Sequence, residues 1–255
     1  MNERPGFNSG VFEAQERQFS INEFPYQEIY CKLSFPEGLS IGEMMASLLN
    51  SPQLSKSEFV PLMDKVDIFH HIVMKFHTTD GSITLTYHPD GSWRFKQKGR
   101  KQYLGKHILY RDETKLLIPS SENIYDFTNL RLSQPLTPQN HSGMYLRIKH
   151  QFDVWLRGRV YKVNGDLIRP IDGFSLNVLD VVEECNQEHG PKMHQIEVKY
   201  RGIADQSASK KPSREDIARD ILLLRRLVCE VAKQQNVDVK STKKSKNKWL
   251  RENKK

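Results

Sequence analysis

The chain has 255 residues, of which 37% are hydrophobic and 27% charged, with 14 glycines, 12 prolines and three cysteines. That apolar share can fill one sizeable core and excludes a collagen or a wholly disordered chain, and no apolar run approaches the roughly 18–20 residues of a membrane helix. The net charge of +8 is concentrated in residues 239–255, whose eight lysines and arginines face Glu252 alone and supply +7 of it, so the basic excess describes the tail and not the folded surface.

Residues 1–20 are polar and irregular and read as a flexible arm without the apolar core of a secretory signal. Tyr26 to Leu33 alternates with period two, a strand pattern. A short helix follows, with Ser40 and Glu43 at capping-box spacing and Ile41, Met44, Met45, Leu48 and Leu49 as its apolar stripe. From residue 66 strands dominate: 66–77, then 82–88 and 92–96 about the turn signal at 89–91. Next come 103–110 and 114–118 about Arg111, Asp112 and Glu113, and then 127–133 and 145–156. The series ends with 159–163 and 167–171 about the hairpin signal Asn164–Gly165, 174–182 and 194–200. About ten short strands with regular turns predict a mainly β, antiparallel sandwich or barrel. One long helix closes the fold: Pro212 and Ser213 with Glu215 and Asp216 mark its start, and Ile217, Ile221, Leu224, Val228 and Val231 share one face. The expected organisation is an arm at 1–20, one domain at 21–236 and a basic disordered tail at 237–255.

Cys31, Cys185 and Cys229 form no CxxC pair, so the expectation is reduced thiols in an intracellular protein, nuclear or cytoplasmic. The nine histidines lack metal-ligand spacing. No phosphate-binding glycine loop and no nucleophile elbow is present. What remains is charge inside strands. Glu28, Tyr30 and Lys32 share a face; so do Asn129, Arg131 and Ser133; Arg147, Lys149 and Gln151; and Gln195, Glu197 and Lys199. Alternation alone allows two arrangements. The polar faces line the outside of a half-solvated sheet, or they point into a closed barrel, where burial is costly unless ions or a ligand are held.

The order of these strands resembles the fungal and protozoal RNA triphosphatases of mRNA capping, members of the triphosphate tunnel metalloenzymes. Glu28 to Lys32 matches the family's first acidic strand. The stretch Asn129 to Ser133 matches a basic strand, Arg147 to Gln151 the next, and Phe174 to Leu179 the one after. His194 to Lys199 matches the final acidic strand, and Ile217 to Val231 the closing helix. The resemblance implies an antiparallel eight-stranded tunnel with a short N-terminal helix and a C-terminal helix. It implies Mg²⁺ or Mn²⁺ held by Glu28 and Glu197, which would be the catalytic carboxylates. Phosphate would be held by Lys32, Arg131, Arg147, Lys149 and Lys199. The implied partners are the 5′ end of RNA and a capping guanylyltransferase or transcription-complex subunit, with no membrane.

The sequence departs from that pattern. Tyr30 replaces the second acid of the first strand, Gln195 and Lys199 flank the one acid of the last, and Ser175 and Asn177 stand where arginine and aspartate would be. A lysine about 7 Å along the strand from Glu197 repels a dication by about 5 kcal/mol at an effective dielectric of about 20. The expected function is a divergent RNA 5′-triphosphatase or 5′-triphosphate RNA-binding protein. The alternatives are a non-catalytic tunnel scaffold in a transcription or RNA-processing assembly, and an unrelated β-rich binding domain with its polar faces outside.

Overall fold

The computed structural model describes residues 26–36, 40–78, 81–88, 91–119, 124–129, 141–171, 191–203, 212–243 and 246–253. The long strands are β1 (Tyr26–Phe35), β3 (Asp67–Thr78), β4 (Gly81–Tyr87), β5 (Trp93–Lys98), β7 (Ile108–Ile118), β8 (His141–Leu156), β9 (Arg159–Ile171) and β10 (Met193–Ile203). Short additions are β2 (Val60–Pro61), β6 (Gln102–Leu104) and β11 (Lys240–Ser241). The helices are α1 (Ile41–Leu49), α2 (Pro52–Ser55), α3 (Ile124–Asn129), α4 (Arg214–Gln234) and α5 (Lys246–Glu252).

The eight long strands pair antiparallel in the ring β1–β10–β9–β8–β3–β4–β5–β7, and β7 returns to β1 through pairs from Tyr26↔Glu113 to Tyr30↔Leu109. Among the described residues, closure leaves none of these eight strands at a sheet edge. The eight-stranded tunnel implied by the resemblance is present.

Apolar residues cover the outside of the ring. Ile29, Cys31, Leu33, Val163, Ile196 and Val198 pack under the stripes of α1 and α4 in one cluster. A second cluster joins Met74, Phe76, Leu85 and Phe95 to Phe127 of α3. The predicted caps hold: Ser40 Oγ accepts the Glu43 N–H at 3.3 Å and Ser213 Oγ accepts that of Asp216 at 3.1 Å. Helix α4 is also latched by charge, because its buried Asp220 accepts the Tyr161 hydroxyl and pairs with Arg159 Nε at 2.8 Å.

Four readings of the sequence are corrected. Asn164–Gly165 is no hairpin: β9 runs straight through it, and the turn lies at Arg157 and Gly158, with φ of 49° and 78°. Glycine serves another purpose at 165. A Cβ there would lie 2.6 Å from Met45 Cγ and 2.9 Å from Ile41 Cγ1, so its absence lets α1 close onto the barrel. Gly165→Ala is therefore expected to overpack this contact by about 1–3 kcal/mol, lowering the thermal midpoint by about 2–4 °C for each; an unchanged midpoint would show that α1 yields without cost.

The triplet Arg111, Asp112, Glu113 is likewise no turn. It lies inside β7, with Asp112 exposed and its neighbours buried, and the chain turns instead at Gly105, φ 75°. Residues 127–129 of the predicted strand 127–133 belong to α3, where Ile124 and Phe127 meet the outer cluster at helical spacing. Residues 130–133 and the predicted strand 174–182 lie outside the described residues. Finally, the basic tail docks on the barrel: β11 pairs with β1 at Ser34↔Lys240, and Trp249 and Leu250 of α5 are buried against Val73, Tyr145 and Ile168. Two apolar side chains at i, i+1 are too few to register as an amphipathic pattern. No helix among the described residues is long and apolar enough to cross a membrane.

Candidate functional site

Because strands alternate, the outward apolar residues dictate inward polar ones. Glu28 and Lys32 of β1, Lys75 of β3, Lys96 and Lys98 of β5, and Arg111, Glu113 and Lys115 of β7 line one cavity of about 340 Å³. So do Arg147 and Lys149 of β8, Lys162, Asn164 and Asp166 of β9, and Glu197 and Lys199 of β10. Among the described residues, fourteen lysines and arginines border this space against four carboxylates.

The four carboxylates are consumed internally. Glu28, 2% exposed, holds Lys199 Nζ at 2.6 Å, Arg111 Nε at 2.7 Å and Lys98 Nζ at 3.2 Å. Glu113 takes Lys98 at 2.8 Å and Lys115 at 3.4 Å. Glu197 pairs with Lys32 at 3.4 Å, and Asp166 with Lys246 of α5. Burial alone would raise the Glu28 carboxyl, but Lys199, Lys98 and Arg111 overcome it and hold the group well below the usual carboxylate range. Tyr30 fills the place of the missing acid, with the Lys32 amine 5.3 Å and the Arg111 guanidinium 5.2 Å from its ring centroid.

Other cations are not balanced this way. Lys75, Lys96 and Lys149 are recessed in the tunnel, and burial followed by repulsion from neighbouring lysines and arginines pushes each amine well below its ordinary range. Lys32 is pushed down to about 7 from 10.5 by burial, with Glu197 opposing. Crowded, desolvated ammonium groups mark a place where an anion restores what burial removed. An anion raises their pKa values and so is bound with proton uptake. Its affinity is expected to fall between pH 7.5 and 9, measured by titration calorimetry with inorganic tripolyphosphate in two buffers of different ionisation heat. The free fold behaves oppositely. The unfolded chain keeps these lysines protonated up to about 10.5, so stability rises with pH from about 7 towards that value. A pH-independent affinity and midpoint would mean that the amines stay charged throughout.

Of the residues singled out in the sequence, Glu28, Lys32, Arg147, Lys149, Glu197 and Lys199 converge on this one cavity from three strands, β1, β8 and β10. Arg131 lies outside the described residues. Sequence reasoning missed Lys75, Lys96, Lys98, Arg111, Glu113, Lys115, Lys162, Asp166 and Lys246; the alternation Arg111, Glu113, Lys115 was a visible signal.

A hard divalent cation does not fit the carboxylates. It needs several oxygen ligands, and the oxygens of Glu28 are occupied by three cationic groups. A dication bound there would lie within about 5 Å of each, a repulsion of about 7 kcal/mol per group at an effective dielectric of about 20. Among the described residues no three His, Cys, Asp or Glu side chains form a metal-ligating group.

No family model and no curated protein matches the chain. Solved structures similar to it include an adenylyl-cyclase-like protein of Hippeastrum with a dominant triphosphatase activity, at 12% identity over 89% of this chain and 96% of that one, TM-score 0.47. The PH1819 protein of Pyrococcus horikoshii is similar at 13% identity over 88% and 98%, TM-score 0.43. An RNA triphosphatase of S. pombe is similar at 15% identity over 91% and 93%, TM-score 0.36.

Proposed function

We propose that the tunnel is a polyphosphate socket that captures the 5′-triphosphate end of an RNA, as a 5′-triphosphate RNA-binding protein of mRNA capping. The observation that carries this reading is the imbalance inside the barrel: fourteen cations to four carboxylates, with each carboxylate already paired to lysine or arginine. Lys149, Arg147, Lys75 and Lys96 supply charge-assisted bonds to phosphate oxygens. The outer lysines of the tail, such as Lys240 and Lys248, add long-range attraction for a nucleic-acid backbone. Release of the γ-phosphate through a divalent ion is not what this arrangement favours, since its acids are neutralised within the chain. A capping guanylyltransferase or transcription subunit is the protein neighbour such a role implies.

The test incubates the purified chain with γ-labelled 5′-triphosphate RNA, with Mg²⁺, with Mn²⁺ and with EDTA. The expected outcome is binding that survives EDTA, that weakens about tenfold or more for 5′-monophosphate RNA, and no labelled phosphate released. Release that requires the divalent ion and disappears in Glu28→Ala would replace this reading with the metal-assisted triphosphatase.

A further inference from the structure

The start of β3 carries an aromatic pair on the tunnel face. Phe69 and His71 alternate with Lys75 on the inward side, and their cross-strand partners on β8 are Lys149 and Arg147. The Phe69 and His71 rings are near-parallel, 13° apart with centroids at 6.0 Å. His71 is 2% exposed and fixed from two sides: its Nδ1 meets Arg147 Nη2 at 3.3 Å, and His88 abuts it edge-on at 4.5 Å. Arginine has no acceptor, so Nδ1 accepts and the imidazole is the neutral Nε2–H form. Burial, reinforced by Arg147 and Lys149, keeps it neutral. Phe69 itself is only half-buried, and the Lys149 ammonium lies 4.9 Å from its ring centroid.

A rigid aromatic floor thus sits in register with Lys149 and Arg147, which face the cavity. We infer that Phe69 is a stacking platform for the first base of a nucleoside 5′-polyphosphate whose phosphates are held by Arg147 and Lys149. This rests on the polyphosphate reading above and deepens it by assigning a subsite to the nucleoside that carries the phosphates. Lys149 connects the two subsites. In the free protein its ammonium covers the Phe69 ring, a contact of modest strength at a half-exposed site. A phosphate in the tunnel draws the amine inward and frees the ring face, and a base stacked there replaces the ammonium with a larger flat surface. Base–aromatic stacking accepts every base, so the subsite selects for the presence of a nucleoside and not for its identity.

The experiment measures the affinity of inorganic tripolyphosphate, of a nucleoside triphosphate and of a short 5′-triphosphate RNA for the full chain and for Phe69→Leu and Phe69→Trp. The nucleoside ligands are expected to bind about tenfold more tightly than tripolyphosphate, from a stacking contribution at the low end of about 1–3 kcal/mol. Phe69→Leu is expected to erase that advantage and to bind tripolyphosphate no more weakly than the wild type, since Lys149 no longer has to leave the ring, while Phe69→Trp keeps it. A triphosphate RNA with 2-aminopurine as its first base should lose fluorescence on binding to the wild type and the tryptophan variant but not to the leucine variant. If tripolyphosphate binds and the nucleoside adds nothing, or Phe69→Leu changes nothing, the stacking subsite is wrong and the polyphosphate socket stands. If no polyphosphate binds at all, the socket fails and the subsite with it. A triphosphate RNA that binds more tightly than the free nucleotide identifies RNA as the source of the ligand; equal affinities identify the free nucleotide.

Discussion

Replacing Lys149 by methionine is expected to weaken tripolyphosphate and 5′-triphosphate RNA about ten- to a hundredfold while raising the thermal midpoint of the free protein. The two effects have one cause. Lys149 is recessed among Lys162, Arg147 and Lys96, and burial with their repulsion lowers its amine well below the ordinary range. Such a group opposes folding at pH 7, because the unfolded chain binds the proton more readily than the folded one. Methionine keeps the length and apolar stem and removes the repulsion. A charge-assisted hydrogen bond is worth about 1.5–3 kcal/mol, and its loss gives the stated drop in affinity. A structural lysine would behave differently: its removal would destabilise the fold, and binding would weaken only as the fold did. Calorimetry for affinity and a thermal melt without ligand separate the cases, and a lower midpoint would reject the assignment of Lys149 to ligand.

The strand faces were legible because period-two alternation is local. Glu28 with Lys32, Arg147 with Lys149, and Glu197 with Lys199 could each be assigned to a face from spacing alone. Which face points inward could not, since alternation is symmetric about the sheet. The answer lies in α4 and α1, whose apolar stripes need a partner; Ile29, Cys31, Leu33, Ile196 and Val198 supply it on the outside, which turns the charges in. Gly165 was misread because its requirement is tertiary, the close approach of Met45 and Ile41, and nothing beside it in sequence announces α1. Arg111 and Glu113 were misread for the opposite reason. With Asp112 between them they form three consecutive charges, a loop-like composition, and only ring closure against β1 makes burial of the outer two affordable. Lys246 was hidden in a lysine-rich run in which no single residue stands out.

Glu28→Ala is the sharper test of what the carboxylates are for. Glu28 neutralises Lys199, Arg111 and Lys98 from a buried position. Removing one member of a buried charge cluster leaves the others uncompensated, a loss of about 3–5 kcal/mol, so the free variant should melt well below the wild type. The same three cations then face the tunnel without their internal counter-ion, and a polyphosphate is the natural replacement. The variant is expected to bind tripolyphosphate about tenfold more tightly than the wild type, and ligand at a hundred times its dissociation constant to restore about 2.7 kcal/mol. Stability and affinity therefore move in opposite directions. A metal-ligand role predicts the reverse for affinity: loss of the carboxylate would remove a divalent-dependent contribution to phosphate binding, and added Mg²⁺ or Mn²⁺ would separate wild type from variant. Glu28→Gln provides the control, since the amide oxygen still accepts from Arg111 while the charge is gone. It should fall between the wild type and alanine in midpoint and match alanine in its tighter hold on the anion. Weaker tripolyphosphate binding by both variants in the presence of EDTA would show that Glu28 serves the ligand directly and not the lysines around it.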